Sequence, residues 1–147
     1  LHEVGVAFVL IPPIPGFGVY GATRWIAEHP VVQLSVRGKS DDQLWFTLFH
    51  ELGHVLLHGH KTVFVQGTEG KEEDEADNFA SRTLIPQEFV HRIPTSRNLA
   101  AVQELADELG IAPSIVLGQA QRITKDYKWG HSLKVKLEWG SATEKAA

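Results

Sequence analysis

The chain has 147 residues, of which 43% are hydrophobic and 22% are charged, and its formal net charge is −4. This size and composition are typical of one globular domain, and the acidic balance excludes a broad basic face for nucleic-acid phosphates. Cysteine is absent, which excludes disulfides and thiolate metal sites. Any metal must therefore be bound by imidazole and carboxylate groups.

The longest apolar run, residues 4–14, is too short to span a bilayer and lacks the basic start and cleavage site of a signal peptide. We therefore expect a cytoplasmic protein without a membrane partner. The chain begins with Leu1 and contains no methionine. We expect from this that it is a fragment of a longer protein.

The first part of the sequence predicts a small, mostly antiparallel sheet. Three apolar or β-branched segments, residues 4–11, 18–25 and 31–36, have strand character. The first segment ends in "PPIPG", because prolines cannot continue a central strand.

Four helices are predicted after the sheet. They span residues 41–58, 71–84, 98–109 and 113–124. Ser40 and Gln43 have the spacing of a capping box at the start of the first helix, and Gly59 is placed to end it. Pro86 ends the second helix and Gly110 ends the third.

The predicted fold class is α+β. The small sheet packs on the first helix, which carries the candidate site, and a helical C-terminal part follows. The polarity of "SLKVKLEW", residues 132–139, alternates as in a half-buried strand, so a short terminal strand is expected.

The stretch "TLFHELGHVLLHGH", residues 47–60, carries the strongest chemical signal. On a helical wheel His50, Glu51, His54 and His58 share one side, and apolar residues form the opposite, core side. Histidines at i and i+4 can bind one metal ion, and Glu51 is offset to reach a water beside it, as in His-Glu-x-x-His metallopeptidases. A histidine pair alone is common and usually solvated. The added glutamate on an amphipathic helix favours a metal site.

The second helix supplies a candidate third ligand. Its predicted buried residues are Ala76, Phe79, Ala80 and Thr83, and the small ones would let the two helices approach closely. Glu72 and Glu73 border this stripe, and Asp77 lies one turn beyond Glu73. An aspartate there could accept the Nδ1–H of a ligand histidine and orient its ring. Glu72, Asp74 and Glu75 are read as a solvated acidic helix start.

Two further histidines follow the pair. His58 continues the histidine side and could support the site without binding the metal. His60 stands ten residues after His50, the offset of the third histidine in metzincins. That pattern needs a glycine where Leu57 stands, which argues against His60 as a ligand.

The segments "FTLFHELGHVLLH" and "EDEADNFASRTLIP" resemble the ImmA/IrrE family of zinc metallopeptidases over residues 45–89. The resemblance implies a gluzincin-like core in which His50, His54 and Glu73 bind Zn²⁺ and Glu51 is the general base. The Glu-x-x-x-Asp spacing of other glutamate-ligand zinc peptidases favours Glu73 over Glu75, which stays the alternative.

The resemblance also implies a function. Members act on transcriptional repressors or form the C-terminal part of helix-turn-helix regulators, so the expected activity is zinc-dependent cleavage of a regulatory protein. Tyr20 and His58 are candidates for stabilising the oxyanion. The expected organisation is a metallopeptidase core (residues 1–92), a helical lobe packed on it (93–140) and a disordered tail (141–147).

Two other functions compete with this interpretation. Residues 102–123 have the look of a helix-turn-helix unit, but the second helix carries one cation, Arg122, which favours a structural pair. The first alternative is a non-catalytic zinc-binding or sensing domain of a DNA-binding regulator or antitoxin. In that case DNA would be contacted only through a separate N-terminal domain. A metal-free interaction module is the second alternative.

Overall fold

The computed structural model describes residues 1–16, 18–36, 40–59, 63–65 and 70–139. In this part of the chain the fold is α+β, as predicted. The strands are β1 (Ala7–Ile11), β2 (Gly21–Ile26), β3 (His29–Ser35) and β4 (Phe64–Val65). The α-helices are α1 (Asp41–Leu57), α2 (Lys71–Leu84), α3 (Leu99–Leu109) and α4 (Pro113–Thr124). Short 3-10 helices span His2–Val4, Gln87–Arg92 and His131–Leu133.

The strands form one sheet in the order β1-β3-β2-β4. Strand β3 is parallel to β1 and antiparallel to β2, which in turn is antiparallel to β4. The first strand begins later than predicted, because residues 2–4 form a 3-10 turn that ends at Gly5 with a φ of 77°. Strand β3 begins earlier than predicted and includes Pro30. The proline is tolerated because pairing with β1 starts only at Val31.

The predicted helices are present with small shifts at their ends. Gly59 and Gly110 follow α1 and α3 with φ angles of 68° and 65°, as expected for helix C-termini. Asn98 caps α3 by accepting a hydrogen bond from the backbone N–H of Ala101 at 3.1 Å. The capping box was wrong, since the Ser40 side chain makes no cap hydrogen bond.

The predicted terminal strand is reduced to one isolated bridge. Lys136 pairs with Ser40, and residues 131–133 form a 3-10 helix instead of extended chain. The pairing cannot continue because α1 begins at Asp41, where backbone groups turn into the helix. The Asp41 side chain anchors this segment by accepting the backbone N–H of Val135 at 2.9 Å.

Helix α1 lies between two apolar clusters. The first consists of Val6, Val32 and Leu34 with Leu44, Leu48, Leu52 and Val55 of α1. The second joins the end of α2 to α3, α4 and Trp129, and Phe46 and Phe49 of α1 pack against it. The helix that carries the histidines is therefore held from two directions, which fixes its position relative to the sheet and to α2.

Some expectations stay predictions. One of them is the division between a metallopeptidase core and a helical lobe at residues 92 and 93. His60 and the tail from residue 141 lie outside the described residues. Within the described ranges, no helix combines the length and apolar character needed to cross a membrane.

Candidate metal centre

The histidine side of α1 is deeply buried. His50 is 1% exposed, and Glu51 and His54 are 0% exposed. On the predicted core side, by contrast, Trp45 and Leu56 are 44% and 67% exposed. The assignment of the apolar side as the core was therefore correct only in part, because β2 and α2 cover the polar side.

Small residues let α1 and α2 approach closely. A Cβ atom at Gly53 would lie 3.0 Å from the Ala76 Cα, and Ala76 and Ala80 are 0% exposed. This agrees with the predicted role of the alanines. Thr83 was wrongly predicted to be buried, and Leu84 takes the buried position instead.

Three ligand-type side chains converge between these helices. The Nε2 atoms of His50 and His54 lie 3.1 Å apart. Glu73 Oε2 is 3.2 Å from His50 Nε2, and Glu73 Oε1 is 3.2 Å from His54 Nε2. One ligand atom from each residue lies within 4.8 Å of the others. The structure thus brings together His50, His54 and Glu73, which were predicted from the sequence to belong to one site, although they lie on two different helices.

Carboxylates around the cluster allow the histidine tautomers to be assigned. Asp77 Oδ1 lies 2.8 Å from His50 Nδ1, so a neutral His50 carries its proton on Nδ1. Glu75 Oε2 lies 3.0 Å from His58 Nε2, and His58 Nδ1 lies 3.0 Å from His54 Nδ1. A neutral His58 that donates from Nε2 to Glu75 accepts at Nδ1 from His54. This assignment leaves both facing Nε2 atoms with bare lone pairs.

Such a group of acceptors is suited to bind a cation. Burial lowers the pKa of His50, but its hydrogen bond to Asp77 and the nearby carboxylate charges outweigh this and raise the pKa. Burial and the charges of His50 and His58 lower the pKa of His54 to about 4. A metal ion bound here would compete with protons for the histidine nitrogens.

The donor set fits zinc. Zinc prefers tetrahedral sites with nitrogen and oxygen ligands at ~2.0–2.1 Å, which places ligand atoms about 3.4 Å apart. The observed separations of 3.1 and 3.2 Å between the ligand atoms are close to this distance. Two imidazoles and one carboxylate also leave a fourth position, as catalytic zinc sites require.

Glu51 lies beside this cluster and makes a hydrogen bond to the sheet. The Thr23 hydroxyl on β2 donates to Glu51 Oε2 at 2.6 Å, and both residues are 0% exposed. Glu51 Oε1 is buried and has no hydrogen-bond partner among the described residues. Burial raises the pKa of Glu51 to about 7, although the Thr23 hydrogen bond and the charge of His50 lower it. A carboxylate with this pKa is suited to act as a general base near neutral pH.

Gly21 makes room for this carboxylate. A Cβ atom there would lie 2.4 Å from Glu51 Oε1 and 2.7 Å from Thr47 Cγ2. Any other residue at the start of β2 would therefore displace the glutamate.

Three residues of this site were not predicted from the sequence. Thr23 gave no local signal, because its partner is 28 residues away. Gly21 did give a local signal, since an isolated glycine in a strand pattern often marks a place where another part of the chain approaches the backbone closely. Arg122 contacts Asp77. Its signal in the sequence was that it is the single cation on a helix whose other residues suggested packing.

One comparison with known proteins decides the family. The family model for the IrrE N-terminal-like domain, a peptidase family, matches residues 7–118. The chain belongs to this family. No curated protein matches the chain. The family match confirms the resemblance to ImmA/IrrE proteins. The match runs from β1 through the first half of α4, so both helices of the metal centre lie inside it.

The structure also places the other predicted site residues. Asp77 contacts His50 as expected. Glu75, the alternative third ligand, pairs with His58 instead. Both ring nitrogens of His58 are engaged, so the structure does not favour His58 as an oxyanion donor. Tyr20 directly precedes β2, and its catalytic role stays a prediction.

Proposed function

We propose that this domain is a zinc-dependent metalloendopeptidase that hydrolyses peptide bonds of a regulatory protein, such as a transcriptional repressor. The observation that carries the proposal is the placement of Glu51, whose buried Oε1 lacks a partner among the described residues, beside the convergent His50, His54 and Glu73. Membership of a peptidase family supports the reaction class.

The proposed mechanism assigns a task to each residue. His50, His54 and Glu73 would hold zinc, which supplies a Lewis acid that polarises the scissile carbonyl and acidifies water. Glu51 Oε1 accepts a proton from the attacking water and later delivers it to the leaving amine nitrogen. The Thr23 hydroxyl holds Oε2, so the other oxygen is left for proton transfer.

The proposal includes a cellular setting and a class of substrate. We propose that the domain acts in the cytoplasm on a transcriptional regulator. Any contact with DNA would be made by a separate N-terminal domain, because the net charge of −4 does not favour phosphate binding here.

Metal content and peptide hydrolysis test the proposal together. Mass spectrometry of the protein should find about one zinc per chain, with loss in His50→Ala and Glu73→Ala. Glu51→Gln should keep zinc but lower hydrolysis of unstructured peptides about 10²–10⁴-fold, the usual worth of a general base. Absence of bound zinc after zinc is supplied would contradict the proposal.

The same experiment separates the alternative. Zinc binding without hydrolysis in the unmodified chain would assign a zinc-binding or sensing domain of a regulator instead. The α3–α4 pair by itself gives little support for direct DNA reading, since Arg122, the sole basic residue within Pro113–Thr124, is turned to Asp77.

A further inference from the structure

Arg122 contacts the metal centre from outside the matched family region, which ends at residue 118. Its guanidinium on α4 donates a hydrogen bond to Asp77 Oδ2. The other oxygen, Asp77 Oδ1, lies 2.8 Å from His50 Nδ1. A continuous line of polar contacts therefore runs from α4 through α2 to a candidate metal ligand on α1.

The guanidinium also packs on an aromatic ring. Its central carbon lies 4.3 Å from the centroid of the Phe46 ring, a distance typical of cation–π contacts. Phe46 stands one turn before His50 on α1. Arg122 thus contacts both helices that carry the candidate ligands.

We propose that Arg122 is a positioning residue for the metal centre, which holds the Asp77 carboxylate in the plane that orients the His50 ring. This inference depends on the proposed zinc binding. The Asp77 side chain is 34% exposed, so packing alone does not fix it. With one donor on each oxygen, its rotation is restricted from both sides, and the planar guanidinium suits this geometry better than a lysine would.

The proposal also accounts for the helix pair at the C-terminus. The α3–α4 unit resembles a helix-turn-helix, but the basic side chain of its second helix is engaged with the peptidase core. The helix pair then stabilises the residues that orient His50. DNA binding is not required to explain its presence.

A simpler role for Arg122 would be general stability, and the chain offers a matched control. Arg92 forms two hydrogen bonds to Glu108, at 2.7 and 2.6 Å, and lies 5.7 Å from the Phe89 ring. It therefore makes the same two kinds of contact as Arg122. Its partners Glu108 and Phe89, however, are not residues of the metal centre.

Zinc affinity, measured by competition with a chromophoric chelator, tests the inference. Arg122→Gln should weaken zinc binding about 10-fold, at the lower end of the effect of residues that support ligands. Arg122→Lys keeps the charge but loses the planar guanidinium, so it should recover only part of this affinity; it serves as the test variant if Arg122→Gln does not fold. Arg92→Gln should bind zinc as the parent does.

A double variant distinguishes positioning from general stability. If Arg122 acts through Asp77, Arg122→Gln combined with Asp77→Asn should bind zinc no more weakly than Asp77→Asn alone. Additive losses, equal losses in Arg92→Gln, or unchanged affinity in Arg122→Gln would overturn the inference while leaving the metal site intact. Failure of the parent to bind zinc would instead overturn the proposed function itself.

Discussion

The Thr23 hydroxyl lies 2.6 Å from Glu51 Oε2, and this hydrogen bond joins β2 to α1 across 28 residues of sequence. It is made inside the protein, where both side chains are 0% exposed. The bond stabilises the ionised carboxylate, because a hydroxyl that donates to a carboxylate favours its charged form. The strand thereby opposes the effect of burial on the pKa of the proposed general base.

Replacing Thr23 by valine should shift the pH dependence of hydrolysis. Loss of the donor raises the pKa of Glu51, because the hydrogen bond from Thr23 lowers it. Because only ionised Glu51 can accept a proton, the acidic limb of kcat/KM should move up by about one pH unit. Thr23→Ser keeps the hydroxyl and should leave the limb in place. A valine variant with the limb of the parent would contradict this role.

Glu51→Gln should change how the stability of the metal-free protein depends on pH. The pKa of Glu51 is raised from an ordinary value of 4.5 to about 7 in the folded state, so the folded protein binds this proton more tightly than the unfolded chain. Its contribution to stability is present at low pH and is lost as pH rises between these values.

The glutamine variant does not titrate there. Relative to the parent it should gain up to about 3 kcal/mol of unfolding free energy across this range, since one pKa unit is worth ~1.4 kcal/mol. Denaturant unfolding of both proteins below and above the range measures the difference. A constant difference would show that the pKa of Glu51 is not raised.

Gly21→Ala should disable the base while leaving the metal ligands in place. The added Cβ would lie 2.4 Å from Glu51 Oε1, so the carboxylate must move, at a cost of about 1–3 kcal/mol of stability. Hydrolysis should fall at least about 10²-fold, since small displacements of catalytic groups have effects of this size. Ala22→Ser, on the opposite face of β2, is the control. Equal activity in Gly21→Ala and the parent would contradict the assigned placement of Glu51.

Paired substitutions in α2 should separate the two candidate third ligands. Glu73→Gln removes the carboxylate 3.2 Å from both histidine nitrogens and should abolish stoichiometric zinc binding. Glu75→Gln weakens only the support of His58 and should lower zinc affinity by no more than about 10-fold. Zinc titration of the two variants measures this, and the reverse order would assign Glu75 as the ligand.

The sequence by itself determined the local parts of this protein. The bounds of α2 and α4 were predicted correctly, as were the glycine ends of α1 and α3, because capping and periodicity act within a few residues. The spacing of His50 and His54 on adjacent turns likewise follows from helix geometry alone. These features fixed the helix that carries the site and the kind of chemistry to expect from it.

Only the tertiary structure decided how these parts meet. Thr23 reaches Glu51 over 28 residues and Arg122 reaches Asp77 over 45, and no helical or strand period specifies such contacts. Packing against β2 and α2 buried the polar side of α1 and set Glu73, not Glu75, against His50 and His54. The start of α1 at Asp41 left the C-terminal segment with one bridge instead of a strand. Local backbone preferences determine elements, whereas their mutual approach depends on which small residues, such as Gly21, Gly53 and Ala76, let them come close.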